Sequence, residues 1–335
     1  MITTEQYNSL LKEYIETNKI NNATKGYLYN EKLIEMSKEK GCTLIDFSVM
    51  DLVELIYDRI MARSVATFHS VRGSYSKFFD WLILKGVVSR NPCLQAPLSL
   101  EKFTEFLSYE DDMRPYERDY ICQAINLNGI NVDYYNIIML SIYEGICSSY
   151  RQLVDLRFSD VDFENGIIHT NFGDRVPSDR LLKSISKIRG ITDFEYTYKT
   201  GTLITVNDRI VPYILVKKSD IEELLDDKDA NHRIQKSMYK LIARFNDRNN
   251  TNFSQQKLWE SGLINRVVSA LGKEVFVDIM LNPIKDKSEH DRLNKILFST
   301  YGWDFQNELA IDKFKTAYRY HAVRIKRELE QGVPE

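Results

Sequence analysis

The sequence predicts a mainly helical protein with a small β-sheet, an α+β fold in two domains. Apolar residues recur at helical spacing through most of the chain, whereas strand patterns are confined to short stretches. Asp162–Thr170 predicts a hairpin that turns at Asn165-Gly166, and residues 196–206 and 209–216 predict a second strand pair. With 335 residues, the chain is also longer than one ordinary core requires.

The predicted domain boundaries follow from composition. Residues 1–93 are predicted to form a helical domain, residues 94–113 a linker, and residues 114–335 a second domain. Pro97 and the acidic stretch from 101 to 112 are the features that indicate a linker.

The first domain is predicted to hold four helices. Thr3 and Gln6 form a capping-box pattern that opens the first helix, and Ser48 caps the third. The fourth is the clearest, because Gly86 is a C-cap candidate and Asn91-Pro92 ends the element. Its apolar stripe consists of Phe68, Val71, Tyr75, Phe78, Phe79 and Leu82.

The opposite side of the fourth helix forms a polar and basic face that extends over about two turns. It presents His69, Arg72, Gly73, Ser76 and Lys77. Such a helix fits the DNA major groove, where arginine reads guanine and the other side chains hold phosphates. An ordinary solvated helix face is the alternative that this pattern leaves open.

Charge is polarised along the chain, although the net charge is only −3. Between Arg59 and Arg90 there are six basic residues and one acid, Asp80. A second basic run extends from Lys313 to Arg327. Such patches are compatible with nucleic-acid binding despite an acidic average.

The sequence gives no support to several other classes of protein. The cysteines and histidines lack metal-ligand spacing and no nucleotide-binding or hydrolase motif occurs, so we predict no cofactor. No apolar run is long enough to span a membrane and no signal-peptide pattern opens the chain. We therefore expect a cytoplasmic protein.

Two segments together resemble the tyrosine recombinases, the phage integrases. In the fourth helix, the pair Phe78-Phe79 is followed by Trp81, Gly86 and Asn91-Pro92, as in the integrase core-binding domain. Residues 143–169 are predicted to form a buried helix, a polar break, a short helix and a hairpin, as at the start of the integrase catalytic domain. The resemblance implies two lobes that embrace one DNA duplex.

The same resemblance implies a catalytic set of two arginines, a hairpin lysine, a His-x-x-Arg motif and a nucleophilic tyrosine, which together stabilise charge on a phosphate and attack it. Ser149 stands in place of the first arginine, and Arg151 follows two residues later. Lys199, just before the Thr200-Gly201 bend, is a candidate for the hairpin lysine, and a solvated strand residue is the alternative that stays open. In the segment that resembles the His-x-x-Arg helix, Ser261 replaces the histidine and Ile264 the arginine.

The remaining candidates lie beyond that motif. Arg266 follows Ile264 by two residues, and Tyr318 or Tyr320 lies at the distance of the nucleophile. His321 and Arg324 match His-x-x-Arg literally, but too few residues follow them for a nucleophile. We interpret that match as a coincidence on a basic tail helix.

The resemblance therefore implies a sequence-specific double-stranded DNA-binding protein that has lost catalysis. The chain resembles the integrase-like lysogeny repressors of SPbeta-type prophages, so we expect a transcriptional repressor at the bacterial nucleoid. Self-association or a regulatory protein partner is compatible with this role. The residues expected to contact DNA are Arg63, His69, Arg72, Ser76, Lys77, Arg90, Arg151, Lys257 and Arg266.

Two alternatives remain open on the sequence. An active but divergent recombinase would use Arg151, Lys199 and Arg266 with Tyr318 or Tyr320 as the nucleophile. An interaction protein made of helical bundles would have no role on DNA.

Overall fold

The structure, a computed structural model, describes residues 3–171, 173–191, 193–195, 200–204, 208–215, 227–283, 287–301 and 308–332. It confirms a mainly helical fold with small antiparallel sheets. The helices are α1 Thr4–Thr17, α2 Asn22–Leu28, α3 Glu31–Lys40, α4 Val49–Val53, α5 Val65–Leu84, α6 Leu100–Tyr109, α7 Arg118–Asn128, α8 Val132–Tyr143, α9 Tyr150–Asp155, α10 Asp179–Ile188, α11 Asp227–Asn249, α12 Gln255–Leu271, α13 Lys273–Leu281, α14 Lys287–Tyr301 and α15 Glu308–Glu330. The strands are β1 Val161–Asp162, β2 Ile167–Thr170, β3 Gly173–Arg175, β4 Asp193–Glu195, β5 Thr200–Ile204 and β6 Tyr213–Leu215.

The chain divides into two compact units. The first unit contains residues 1–113 together with 312–335, and the second unit contains residues 114–311. The predicted boundaries differ from this division at two places, the expected linker and the end of the chain.

The expected linker is part of the first unit. Its residues 100–109 form α6, an amphipathic helix that buries Phe103 and Leu107 while Glu101 stays exposed. Leu98 and Met113 on either side join the same core. Two of the acidic residues that suggested a linker, Glu101 and Glu105, thus lie on a packed helix, and the other acids of the stretch follow its end.

The end of the chain also belongs to the first unit. Tyr320 on α15 is 3% exposed and lies in the hydrophobic core that α1 to α6 form. The predicted second domain, residues 114–335, includes this helix. Its packing against the first unit joins residues far apart in sequence, and such contacts leave no local sequence pattern.

The helix ends predicted in the first unit are confirmed. Thr3 and Gln6 form a capping box at α1, and Ser48 caps α4 with Asp51 as its partner. The continuation of α4 is a π-helix over Glu54–Arg59. After α5, Gly86 has a φ of +70°, a left-handed conformation that glycine adopts without strain.

Helix α8 is the centre of the second unit. Every residue from Tyr134 to Tyr143 is buried, and α10 and α12 pack against it. A Cβ atom at Gly262 of α12 would lie 1.8 Å from the main-chain oxygen of Tyr143. Glycine is therefore what allows α12 to approach the end of α8 so closely.

Both predicted strand pairs are confirmed within the described residues. Asp162 pairs with Ile167 around a turn at Gly166, whose φ is +66°. In the second sheet, β5 pairs with β6 through Thr202 and Leu215. The structure adds β3 and β4, so that each sheet has three strands in sequence order.

Candidate nucleic-acid interface

Helix α5 displays the polar face that the sequence predicted. Phe68, Tyr75 and Phe78 on its inner side are fully buried. On the outer side His69 and Lys77 are exposed, with Gly73 between them. A methyl group added at Gly73 would meet no heavy atom within 4 Å, so the middle of this face is open and nearly flat.

Asn91 fixes the segment that follows α5 against the same helix. Its Nδ2 donates to the main-chain oxygen of Ser76 at 3.0 Å, to Ser76 Oγ at 2.9 Å and to Asp80 Oδ1 at 2.7 Å. Its Oδ1 accepts from the main-chain N–H of Cys93 at 3.0 Å. The Ser76 hydroxyl therefore already has a hydrogen-bond partner within the protein. We call the Asn91-Pro92 turn, which these bonds fix against α5, the Asn91 bracket.

The arginines expected on this surface are also tied to the protein. Arg72 Nε donates to the main-chain oxygen of Cys93 at 2.9 Å, and its guanidinium lies 5.9 Å from the centre of the Phe68 ring. Arg63 donates to the main-chain oxygen of Tyr57 at 3.1 Å and pairs with Glu110 at 3.0 Å. Arg63 is thus an internal brace of the first unit.

Lys77 and Arg90 are the most available cations near α5. Both are exposed, and neither forms an ion pair with any residue that the structure describes. Lys77 lies on α5 itself, one helical turn beyond Gly73, and Arg90 lies in the segment that follows the helix.

In the second unit, the positions of the recombinase-like set are occupied by structural side chains. Ser149 is the N-cap of α9 and accepts from the main-chain N–H of Gln152. Ser261 is 1% exposed, donates to the main-chain oxygen of Lys257 at 2.6 Å and accepts from the main-chain N–H of Tyr116 at 2.9 Å. Ile264 is 1% exposed, so no cation points outward at that position.

Arg266 is directed into the protein. Its Nη1 donates to the main-chain oxygen of Tyr143 at 2.7 Å, at the end of α8. Desolvation by burial lowers the pKa of Arg266 to about 10. The guanidinium thus caps the end of α8, close enough to Glu144 and Arg175 for their charges to act on it.

Arg151 and Lys257 remain more accessible. Arg151 is exposed on α9 and lines a polar cleft with Asp155, Asn231 and His232. Lys257 is half-buried, and its Nζ lies 5.3 Å from the centre of the Tyr116 ring. Lys199 lies outside the described residues, so the structure says nothing of its position.

The two candidate tyrosines lie in the first unit, whereas Arg151 and Arg266 lie in the second. The Tyr320 ring is buried, 4.1 Å from the ring of His321. Tyr318 is half-buried, and its ring centre lies 5.1 Å from that of Phe314. Both phenols thus take part in the packing of α15.

The literal His-x-x-Arg match serves the same packing. Arg324 Nε donates to the main-chain oxygen of Ser108 at 2.9 Å, and its Nη2 donates to the main-chain oxygen of Glu110 at 2.5 Å. Arg327 Nη2 donates to the oxygen of Ser108 at 2.6 Å. The two arginines satisfy the last carbonyls of α6, which a helix leaves without partners.

Helix α11 carries an exposed basic surface that the sequence analysis did not predict. On α11, five basic side chains recur at every fourth residue and are all exposed: His232, Lys236, Lys240, Arg244 and Arg248. We call this set the α11 ridge. Its signal is present in the sequence as a four-residue period, but the residues are too far apart to appear as a charge run.

No group of three or more histidine, cysteine or acidic side chains suited to a metal ion occurs in the described part of the chain. Among its helices, none has the length and apolar character needed to cross a membrane.

Comparisons with known proteins find weak structural similarity. No protein-family model and no curated protein matches the chain. XerA recombinase is 12% identical with a TM-score of 0.37, covering 99% of this chain and 100% of that one. The Tn1549 transposon integrase in complex with transposon right-end DNA is 13% identical with a TM-score of 0.39, covering 92% and 98%. A lambda integrase dimer bound to a core site is 13% identical with a TM-score of 0.38, covering 92% and 76%.

Proposed function

We propose that this protein binds specific sites on double-stranded DNA without cleaving them, and acts as a transcriptional repressor that maintains lysogeny of a prophage. The resemblance of its sequence to tyrosine recombinases supports the DNA-binding part of the proposal. The repressor role is supported by the resemblance to the lysogeny repressors of SPbeta-type prophages, and a protein that occupies a site without cutting it can block access to that site.

The outer face of α5 is the observation that carries DNA binding. Its exposed side offers the hydrogen-bond donors of His69 and Lys77 on either side of Gly73, and the major groove admits an α-helix that presents such side chains. The helix is held on its other side by a fully buried aromatic stripe. A rigid element with a small polar face meets the geometric requirement for reading base edges.

The loss of cleavage is supported by the side chains that occupy the positions of the recombinase catalytic residues. Ser149 is an N-cap, Ile264 is buried, and Arg266 donates to a main-chain oxygen. Removing one electrostatic donor from such a site costs on the order of 10²–10³ in rate. The burial of Tyr320 removes one of the two candidate nucleophiles as well.

A genomic DNA pulldown with the purified protein tests the proposal. We expect recovery of a small set of discrete sites, followed by protection of each site in footprinting. Lys77→Ala should weaken binding to these sites, whereas Lys12→Ala, an exposed lysine on α1 of the same unit, should not. Binding that ignores sequence, or no binding at all, would overturn the proposal.

A second experiment tests the loss of cleavage. Nicked suicide duplexes of the recovered sites trap a covalent protein–DNA adduct when a tyrosine attacks the phosphate. We expect no adduct. An adduct that disappears in Tyr318→Phe or Tyr320→Phe would instead establish the active recombinase.

A further inference from the structure

We propose that Tyr116 is a positioning residue, which fixes the first chain connection between the two units against α12, and that DNA binding by the whole protein depends on this anchor. The inference rests on the proposed function. It gives a role to Ser261, which stands where the resemblance places a catalytic histidine, and to Asn265 on the same helix.

The connection itself is short. The chain passes between the two units twice, and its first passage lies between Met113 and Arg114. Met113 is 7% exposed and packs in the core of the first unit. Between it and Tyr116 lie Arg114 and Pro115 alone, and we call these two residues the connector. Proline fixes its own φ and favours extended conformations in the residue before it, so the connector is also stiff.

Both main-chain groups of Tyr116 are bonded to α12. Its N–H donates to Ser261 Oγ at 2.9 Å, and its carbonyl oxygen accepts from Asn265 Nδ2 at 2.8 Å. Ser261 and Asn265 are four residues apart on the helix, so their side chains lie on the same face. One face of α12 thus supplies an acceptor and a donor for the end of the connector.

The two partners of Tyr116 are themselves oriented by the second unit. Ser261 is 1% exposed, and its hydroxyl donates to the main-chain oxygen of Lys257 at 2.6 Å, which leaves a lone pair for the Tyr116 N–H. Asn265 Nδ2 also donates to Tyr143 Oη at 2.9 Å, at the end of α8. The anchor therefore has a defined geometry that does not depend on DNA.

The Tyr116 side chain strengthens the attachment. Its ring centre lies 4.9 Å from that of Phe253 in an edge-to-face arrangement, and Phe253 is 2% exposed. Its hydroxyl donates to main-chain and side-chain oxygens of Asn252. Tyr116 is thus held through its main chain, its ring and its hydroxyl.

The anchor affects DNA binding through the length of free chain between the units. Helix α7 begins at Arg118, so release of Tyr116 would lengthen the connector from two residues to four. The effective concentration of one binding surface near another falls roughly as the −3/2 power of the length of the chain that joins them. Doubling that length therefore costs about threefold in affinity when both units bind one duplex.

The test removes the partners of Tyr116 and leaves the connector sequence unchanged. Ser261→Ala with Asn265→Ala deletes both hydrogen bonds to its main chain. Ser141→Ala is the matched control, because Ser141 on α8 is fully buried and its Oγ has no hydrogen-bond partner among the described residues. Tyr116→Ala is a second variant, which loosens the anchor without changing α12. Thermal melting shows whether each variant folds.

Two measurements are made on each variant. Hydrogen exchange at the residue 116 amide reports the anchor. DNA affinity is measured for a recovered genomic site and for a duplex shortened to the part of the footprint that Lys77→Ala loses.

For the double variant, we expect exchange at Tyr116 to be about tenfold faster, because its amide loses a hydrogen bond. Affinity for the whole site should fall about threefold, whereas affinity for the shortened duplex should stay the same. Tyr116→Ala should weaken binding to the whole site in the same direction, and Ser141→Ala should change neither measurement.

Unchanged exchange at Tyr116 in the double variant would overturn the inference, since Ser261 would then not hold the amide. Faster exchange with unchanged affinity for the whole site would overturn it too, and so would an equal loss on both duplexes. If the wild-type protein bound no DNA, the proposed function would fail together with the dependence of binding on the anchor. A slowly exchanging Tyr116 amide would in that case show that the anchor exists and that the failure lies in the function.

Discussion

Arg324 donates through Nε to the main-chain oxygen of Ser108 at 2.9 Å, joining residues 216 positions apart in the sequence. This contact attaches α15 to the end of α6 inside the first unit. The arginine is 4% exposed and is directed at carbonyls of a helix terminus, which favours a cation. The end of the chain is thus part of the N-terminal core.

Arg324→Ala should destabilise the first unit by about 2–4 kcal/mol, because it leaves several buried carbonyls of α6 without their charged donor. Urea unfolding monitored by tryptophan fluorescence measures the loss, since Trp81 lies in that core. Lys326→Ala is the control. The Nζ atom of Lys326 is exposed and its one described ion pair, with Glu330 Oε1 at 3.8 Å, is also exposed, so its loss should change stability little. A change within about 0.5 kcal/mol for both variants would contradict this role.

Gly262→Ala should destabilise the second unit by about 1–3 kcal/mol or more, because the new methyl group would collide with the main chain at Tyr143. Gly73→Ala is a matched comparison on an exposed helix face. With open space around its Cβ, it should stabilise the protein by about 0.5–1 kcal/mol through helix propensity.

Thermal denaturation of the two alanine variants measures both effects. Opposite shifts of the melting temperature are expected. If Gly262→Ala melted at or above the wild-type temperature, the close approach of α12 to α8 would be wrong.

Local patterns predicted the parts of the fold that local physics determines. Thr3 and Ser48 cap the starts of helices and Gly86 follows the end of α5, as expected, since capping depends on neighbours in sequence. The membership of α6 and α15 in the first unit depends on long-range packing, which no local pattern contains. The hydrogen bonds of Arg63 and Arg72 to main-chain oxygens could not be predicted from the sequence either. The residue type and its position do not indicate whether an arginine faces solvent or a carbonyl group.

Asn91→Ala should cost about 1–3 kcal/mol, because it removes a nearly buried amide that bridges Ser76, Asp80 and Cys93. Gln95→Ala is the control, since the Gln95 side chain makes no hydrogen bond to the described residues. Chemical denaturation gives both values. Equal stability of the two variants would contradict a stabilising role for the Asn91 hydrogen bonds at the end of α5.

The β2–β3 hairpin should respond to pH through His169. Its Nδ1 lies 2.7 Å from Asp174 Oδ1, and this hydrogen bond raises the pKa of His169 above its ordinary value of 6.5. Because the pKa is raised in the folded state, the contribution of the pair is fully present below 6.5 and is lost as pH rises through the folded pKa. NMR titration of the imidazole should therefore give a midpoint above 6.5 in the wild type and a lower one in Asp174→Asn. Identical midpoints in the two proteins would mean that the carboxylate does not hold the proton on the ring.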